Sequence, residues 1–183
     1  LVAEEERFAG LPISSTFVRE SVAHGEVHRV ASVLGRPYEV SGLVVEGDGV
    51  GRRLGFPTAN VMSENEIWPK RGVYVVKART GSDLFPAVAN IGRAPTRRNL
   101  PENRLEVHLL EGGKNLYGQR LGVRFLARLR EEVQFDGLEE LKSAIAGDVE
   151  KAKDFFRNDA NPDSAAEAPF DGAQGKQRRR GLE

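Results

Sequence analysis

Short β-rich stretches of apolar residues fill the middle of the chain, from residue 38 to about residue 130. Brief connections containing Gly, Asn or Pro separate them, and helical periodicity is absent across this whole region. The clearest five stretches are YEVSGLVVEG, GVYVVKART, FPAVANIG, LEVHLLEG and QRLGVRFLARLR. Because closing a sheet removes its unpaired edges, the pattern predicts a mainly β fold built as a closed or nearly closed antiparallel barrel.

Helical patterns flank the β-rich region. Before it, ISSTFVRESVAHGEVHRVASVLG places apolar residues on roughly one face and ends at Gly35, which predicts a short N-terminal helix. After it, FDGLEELKSAIAGDVEKAKDFF carries an apolar stripe, with Asp136 as a candidate cap and Glu139 three residues later. We expect this C-terminal helix to pack on the barrel. Residues 158–183 have almost nothing to bury, which predicts a disordered tail.

Length, charge and composition narrow the classes of function. With 183 residues, the chain suits one domain plus extensions. Lys and Arg total 27 and Asp and Glu total 27, whereas proteins that bind the nucleic-acid backbone are normally basic. The lack of cysteine excludes disulfides, thiolate catalysis and zinc sites built on Cys. With no bilayer-length apolar run or leader, we expect a cytoplasmic protein whose partners include neither nucleic acid nor a membrane.

A glycine-rich run, GDGVGRRLGFPTAN at residues 47–60, follows the first predicted strand. Its glycines leave backbone amides accessible to a ligand, and polyphosphate is the ligand that such a loop suits. A Walker loop does not fit, since no Gly-Lys-Ser/Thr ends the run, and a dinucleotide fingerprint starting at Gly47 fails because Arg52 stands where glycine is required. A mobile hairpin turn is the alternative interpretation of the glycines alone.

The Pro-Thr-Ala-Asn tetrapeptide that ends the run points to a nucleotide bound with metal. Pro57 fixes the backbone at its start, and Thr58 and Asn60 alternate along an extended segment, so their oxygens face one side. Two neutral oxygens suit Mg²⁺, which keeps several waters and commonly takes other ligands from phosphate oxygens. Arg52 and Arg53 are candidates for stabilising phosphate charge, or else surface arginines. Asp48 would repel phosphates unless it points to solvent.

Several separated stretches resemble the riboflavin kinase module of bacterial bifunctional FAD synthetases. They are GRRLGFPTAN, GVYVVKA, AVANIGRAPT, LEVHLLE, LYGQRLGVRFLARLREEVQF and LEELKSAIAGDVEKA, in matching order over roughly residues 36–153. The resemblance implies a six-stranded antiparallel Greek-key barrel with a C-terminal helix. It also implies transfer of the ATP γ-phosphate to the 5′-hydroxyl of riboflavin, giving FMN and ADP, with Mg²⁺ as cofactor and ATP as co-substrate.

Site residues follow from the same resemblance. It implies that Thr58 and Asn60 hold magnesium and phosphate, and that Glu106 in LEVHLL is the catalytic base. Without the resemblance, Glu106 is an ordinary outward glutamate on a strand, and the neighbouring His108 is better explained by a structural hydrogen bond. The other candidates for nucleotide or flavin binding are Gly47, Gly49, Gly51, Arg52, Gly55, Pro57 and Asn90.

The N-terminal stretch resembles the closing segment of the adenylyltransferase half of those synthetases. The residues that match its phosphate-binding Ser-Ser-Thr-x-Ile/Val-Arg pattern are Ser14, Ser15, Thr16 and Arg19. The His-x-Gly-His motif of that half is missing, so we expect FMN but no FAD as product. The predicted organisation is an adenylyltransferase remnant and linker helix over residues 1–35, a riboflavin kinase domain over 36–157 and the tail over 158–183. The full-length protein would carry an N-terminal adenylyltransferase domain.

Two alternatives stay open. A small barrel with glycine-rich loops also fits a non-catalytic module that binds flavin or nucleotide, and the same ATP site fits a kinase for another small alcohol. Val50 stands where the family usually carries a polar residue, so one phosphate contact is either missing or supplied by Arg52 or Arg53. Four aromatic residues are candidates either for stacking on the isoalloxazine ring or for the core: Trp68, Tyr74, Phe85 and Tyr117.

Overall fold

The computed structural model describes residues 14–93, 103–112 and 114–158, together with the backbone of two short N-terminal strands. The elements in chain order are β1 Arg7–Phe8, β2 Leu11–Pro12, α1 Ser15–His24, α2 Val27–Leu34, β3 Tyr38–Val45, α3 Val50–Leu54, β4 Ala59–Ser63, β5 Gly72–Thr80, β6 Asp83–Arg93, β7 Asn103–Leu109, β8 Arg120–Arg130 and α4 Leu138–Asn158. In this part of the chain, no helix is long and apolar enough to cross a membrane. The predicted tail beyond α4 lies outside the described residues.

Strands β3 to β8 close into an antiparallel barrel in the order β3-β4-β7-β6-β5-β8, which confirms the six-stranded barrel. Alternation along each strand fills the interior: on β7, Leu105, Val107 and Leu109 are buried while Glu106 between them is half-buried on the outer side. The strand least visible in the apolar pattern is β4, a five-residue strand that begins in the extended segment containing Asn60.

The N-terminal helical segment forms two helices rather than the single one that its pattern predicts. Gly25 adopts φ of 79°, which ends α1 and lets the chain turn into α2. An added Cβ there would lie 2.9 Å from the hydroxyl of Tyr74, so the turn also packs closely on the barrel. Ser14 caps α1 by accepting a hydrogen bond from the Phe17 N–H at 3.1 Å. Gly35 ends α2, in agreement with the predicted end of the helical segment.

The glycine-rich run contains a short helix, α3, where the sequence predicts only a loop. Gly49 and Gly55 lie at its two ends with φ of 66° and 91°, in the left-handed region that glycine adopts without strain. These two residues allow the chain to enter and leave a single helical turn within the run. As a result, the run folds back over the outer face of the barrel.

The C-terminal helix α4 packs on the barrel, as predicted. Its Val149 and Ala152 join an apolar cluster with residues of β5, β6 and β8: Val73, Val75, Val88 and Leu126. The predicted cap is wrong in detail, because the helix starts one residue later than a cap at Asp136 requires. Glu140, not Glu139, accepts the hydrogen bond from the Asp136 backbone N–H, at 3.3 Å. The apolar stripe from Ile145 to Phe156 faces the barrel, whereas Leu138 at the start of the predicted stripe is exposed.

Candidate active site

Three polar side chains form a row across the outer face of the barrel. Asn60 of β4 and Asn90 of β6 are each paired in register with Glu106 of β7. The next residues along β4 and before Glu106 on β7, Val61 and Leu105, are buried in the interior, so the row faces outward. Directly opposed residues have Cβ atoms about 5 Å apart. The register of the sheet therefore places one carboxylate between two amides.

Two pockets meet beside this row. The larger, about 510 Å³, has walls from the end of the glycine-rich run and from the β7–β8 connection, including Pro57, Thr58, Lys114 and Tyr117. The smaller, about 180 Å³, lies between the row and α4, and its lining includes Asn90, Glu106, His108, Arg130, Val133, Phe135 and Ile145. Thr58 lines both pockets, and α3 separates them by contributing Arg52 to the larger and Gly51 to the smaller.

The glycines of the run serve two different purposes. A Cβ on Gly47 would lie 2.0 Å from the Asn60 side-chain nitrogen, and a Cβ on Gly51 would lie 2.4 Å from a backbone carbonyl oxygen. These two positions need glycine because neighbouring atoms leave no room for a side chain. Gly49 and Gly55 need glycine for their left-handed backbone, and an added Cβ on either would meet no atom of the described residues within 4 Å.

Arg104, which is not among the residues predicted from the sequence, connects the row to the glycine-rich run. Its Nε donates a hydrogen bond to Oδ1 of Asn60 at 3.0 Å and lies 3.1 Å from Oε1 of Glu106. Its Nη1 donates to Oδ2 of Asp48 at 2.9 Å. Asp48, with 67% of its side chain exposed, thus both reaches solvent and pairs with an arginine. Arg104 stands two residues before Glu106 on one strand face, and this spacing is the signal that could have revealed it.

The residues present fit a magnesium ion that is also bound by phosphate. Thr58 contributes a hydroxyl at the boundary of the two pockets, and Asn60 contributes an amide oxygen beside Glu106 in the row. Among the described residues, no group of three or more His, Cys, Asp or Glu side chains is arranged to hold a metal. Neutral oxygens with few carboxylates match Mg²⁺, which keeps waters and takes phosphate oxygens as ligands.

His108, on the same strand as Glu106, contacts the end of the glycine-rich run. Its Nδ1 lies within hydrogen-bond distance, 2.9 Å, of the Pro57 carbonyl oxygen. Its ring meets Phe56 edge-on with 5.6 Å between centroids. The structural hydrogen bond expected for His108 is therefore present. Through it, β7 supports the backbone that precedes Thr58.

The four candidate aromatic residues divide between the core and one pocket. Tyr74 is fully buried, and Trp68 and Phe85 are partly buried against the barrel core. Tyr117 lines the larger pocket, where its hydroxyl accepts a hydrogen bond from Arg52 at 3.3 Å. Packing in the core therefore explains three of the four, and the fourth lies at the larger pocket, on the opposite side of α3 from Glu106.

An ion pair closes the smaller pocket between the barrel and α4. Nε of Arg130 lies 3.0 Å from both carboxylate oxygens of Asp148, and Nη2 donates to one of them at 2.7 Å. Asp148 is only 3% exposed. The same arginine lies 5.6 Å from the Phe135 ring, which forms part of the pocket wall. Sequence patterns gave no sign of this pair, because its members belong to different elements.

Comparisons with known proteins agree with this architecture. A sequence model of the Flavokinase family, described as riboflavin kinase, matches residues 34–156. The bifunctional riboflavin kinase/FMN adenylyltransferase of Haemophilus influenzae is 42% identical over 147 residues, covering 80% of this chain and 47% of the relative. That of Bacillus subtilis is 36% identical over 149 residues, with the same coverage. The chain spans about half the length of the curated relatives it matches.

Solved structures share the fold. A crystal structure described as a macrolide-efflux protein from Streptococcus pneumoniae matches with a TM-score of 0.75 and 31% identity, covering 81% of this chain and 49% of that chain. Riboflavin kinase from Trypanosoma brucei matches with a TM-score of 0.50 and 24% identity, covering 68% of this chain and 82% of that chain. The second likeness concerns the fold alone, which is the closed six-stranded barrel with its C-terminal helix.

Proposed function

Because the chain belongs to the riboflavin kinase family, which uses ATP as co-substrate, we propose that it transfers the γ-phosphate of ATP to the 5′-hydroxyl of riboflavin, giving FMN and ADP. One observation supports this most: two pockets meet at Thr58, with Arg52 and Lys114 lining one and Glu106 lining the other. Phosphoryl transfer depends mainly on positioning and charge stabilisation, so a phosphate donor and an alcohol acceptor must share a boundary of this kind.

We assign ATP to the larger pocket. Its volume of about 510 Å³ is typical of small-molecule sites. Arg52 and Lys114 provide positive charge for the phosphates, with Arg52 held by Tyr117. The glycine-rich run contributes the wall nearest Thr58, where the γ-phosphate would meet the acceptor.

We assign riboflavin to the smaller pocket. Val133, Phe135 and Ile145 offer apolar surface to the isoalloxazine ring, while Asn90 and Glu106 provide polar atoms at the barrel side. The volume of about 180 Å³ is below the range usual for ligands of this size. We therefore expect the rim to open on binding, beginning with the connection that carries Val133, whose side chain is 53% exposed.

Glu106 is the proposed catalytic base. Its carboxylate accepts the proton of the 5′-hydroxyl while the hydroxyl oxygen bonds to the γ-phosphorus. The bond from that phosphorus to the β,γ-bridging oxygen breaks, and ADP leaves with the electron pair. Asn60 and Asn90, on either side of Glu106 in the register, are assigned to orient the reacting groups.

Thr58 and Asn60 are the residues that would hold Mg²⁺. When bound, the ion neutralises charge on the phosphates of ATP. The hydroxyl of Thr58 lies at the junction of the two pockets, and Oδ1 of Asn60 already accepts a hydrogen bond from Arg104. The Thr58 oxygen therefore stands beside the proposed path of the phosphoryl group, and Asn60 lies opposite the proposed base, Glu106.

The proposed location of the reaction is the cytoplasm.

Product analysis tests the proposed function. Incubation with riboflavin, ATP and Mg²⁺ should give FMN and ADP in equal amounts, resolved by chromatography. A barrel that only binds flavin would retain riboflavin and leave ATP intact, and a kinase for another alcohol would consume ATP only with that alcohol. Folded protein that forms no FMN at saturating concentrations of both substrates would overturn the assignment.

A further inference from the structure

We infer that Arg104 is a positioning residue of this site: its guanidinium fixes Glu106 and Asn60 relative to each other and links both to the glycine-rich run through Asp48. The kinetic part of this inference rests on the proposed function, while its structural part does not. Arg104 itself would touch neither riboflavin nor the reacting phosphate. It acts through the groups that do.

One guanidinium serves acceptors from three segments of the chain. Asn60 lies on β4, Glu106 on β7 and Asp48 in the connection from β3 to α3, and Arg104 reaches all three at 2.9–3.1 Å. Guanidinium donors point in fixed directions within one plane, so the groups that they contact are fixed relative to one another. A lysine ammonium on a flexible stem would keep the charge and lose this directionality.

The amide of Asn60 is held from two sides. Arg104 donates to Oδ1, and Gly47 packs so closely that a Cβ there would lie 2.0 Å from Nδ2. Because a guanidinium has only donors, it selects the orientation in which Asn60 presents its oxygen rather than its NH₂ group. An amide oxygen has two lone pairs, so this oxygen can accept from Arg104 and still face a cation. Arg104 thus presets the polarity of the proposed magnesium ligand.

The ion pairs that Arg104 makes with Asp48 and with Glu106 differ in exposure. The pair with Asp48 is exposed, and such ion pairs are weakened by solvent and salt. The side chains of Arg104 and Glu106 are 28% and 29% exposed, so the pair with Glu106 is better shielded from solvent. We therefore expect the positioning effect to depend chiefly on Arg104 itself and much less on Asp48. Asp48→Asn should have a small fraction of the effect of Arg104→Met.

The test compares Arg104→Met and Arg104→Lys with a matched control, Arg124→Met. Arg124 also lies on a barrel strand, is 32% exposed and pairs with a carboxylate, Glu39, at 3.0 Å. We expect Arg104→Met to lower kcat by about 10- to 100-fold and to change KM for riboflavin by less than about threefold. Arg104→Lys should restore only part of kcat, and Arg124→Met should match the parent protein.

A second readout is independent of turnover. The side-chain NH₂ signals of Asn60 in a ¹H–¹⁵N spectrum can be assigned by their loss in Asn60→Asp. They should shift or broaden in Arg104→Met, because the amide is no longer held by Oδ1, and stay in place in Arg124→Met. If Arg104→Met does not fold, Arg104→Lys provides both readouts, with reduced kcat and a displaced Asn60 signal expected.

The outcomes separate the inference from the proposed function. Parent kcat and unshifted Asn60 signals in Arg104→Met would overturn the inference, even though FMN formation by the parent protein still held. Full recovery of kcat in Arg104→Lys would also overturn it, since charge alone would then suffice. An equal loss in Arg124→Met would overturn it as well, since losing any arginine–carboxylate pair of the barrel would then have the same effect. If the parent protein makes no FMN, the proposed function fails and the Asn60 signals decide the positioning role.

Discussion

Glycine at position 47 is needed for space, whereas most turn glycines are needed for backbone freedom. A Cβ there would overlap the Asn60 amide, and the backbone of Gly47 is not in the left-handed region. We expect Gly47→Ala to displace Asn60 and lower kcat by about 100-fold, with little change in the free energy of unfolding. Steady-state FMN formation and urea unfolding of the same preparations measure the two effects.

Gly81 supplies the matched control for that change. It has φ of 58° in the β5–β6 turn, and an added Cβ would meet no atom of the described residues within 4 Å. Gly81→Ala should therefore lower the free energy of unfolding by about 1 kcal/mol through backbone strain and leave kcat unchanged. A Gly47→Ala protein with parent kcat would show that the close contact to Asn60 is not important for the reaction.

Glu39 makes the barrel sensitive to acid at a point away from the pockets. The hydrogen bond from Arg79 lowers the pKa of the Glu39 carboxyl below its ordinary value of 4.5, burial opposes this, and Arg124 adds to the lowering. A carboxyl with a lowered pKa in the folded state contributes stability above its unfolded pKa and loses it as pH falls through the folded value. The parent protein should therefore lose this contribution only below pH 4.5.

Glu39→Gln should reduce the loss of free energy of unfolding that the parent protein shows at acid pH. The variant starts with a lower free energy of unfolding near neutral pH and then changes less than the parent as the solution becomes acidic. Because the Glu39 side chain is partly exposed, solvent screening keeps the difference modest. Urea unfolding in a series of buffers from neutral pH down to acid measures it. Parallel curves for Glu39→Gln and the parent protein would contradict the assignment.

Helix α4 is attached to the barrel both by apolar packing and by the Arg130–Asp148 pair. Asp148→Asn leaves the Arg130 charge without its partner, and removing one member of a buried pair costs about 3 kcal/mol. Since both residues line the smaller pocket, KM for riboflavin should also rise while KM for ATP stays near the parent value. Urea unfolding and steady-state kinetics test both expectations.

Glu150→Gln is the control on the same helix. Glu150 is exposed and pairs with Lys153 across one helical turn, a kind of contact that contributes little in water. We expect this variant to unfold at the same urea concentration as the parent protein and to bind riboflavin normally. If Asp148→Asn were no less stable than Glu150→Gln, the ion pair would not be what fixes α4 to the barrel.

The short helix α3 illustrates what sequence patterns cannot predict about single elements. Five residues are too few to form a stable helix on their own, and they are also too few to show a helical periodicity in the sequence. The turn is maintained by contacts at its C-terminal end, where the Phe56 N–H donates to the Gly51 carbonyl at 2.8 Å. By contrast, α4 has 21 residues and a clear apolar stripe, and its existence and packing followed from the sequence.

At the scale of the whole molecule, the sequence was enough to predict the barrel. It was not enough to predict the contacts between side chains that complete the site. Repeated β-rich stretches without protected edges favour closure, and this required no knowledge of which strands are neighbours. The cluster around Arg104 depends on register, because Asn60 and Glu106 face each other only through the pairing of β4 with β7. The resemblance named Thr58, Asn60 and Glu106 without their contacts. The spacing of two residues from Glu106 places Arg104 on the same strand face, but its contact with Asn60 and the wall formed by Arg130 depend on how the elements pack.

The central proposal is that Glu106 accepts the proton of the riboflavin hydroxyl, and single-turnover FMN formation in Glu106→Gln tests it. With enzyme in excess over riboflavin and ATP saturating, the rate should fall by about 10²- to 10⁴-fold relative to the parent protein. The variant should still bind ADP with Mg²⁺, and Glu64→Gln, an exposed glutamate after β4, should keep the parent rate. An undiminished rate in Glu106→Gln would contradict the role of Glu106 as the base.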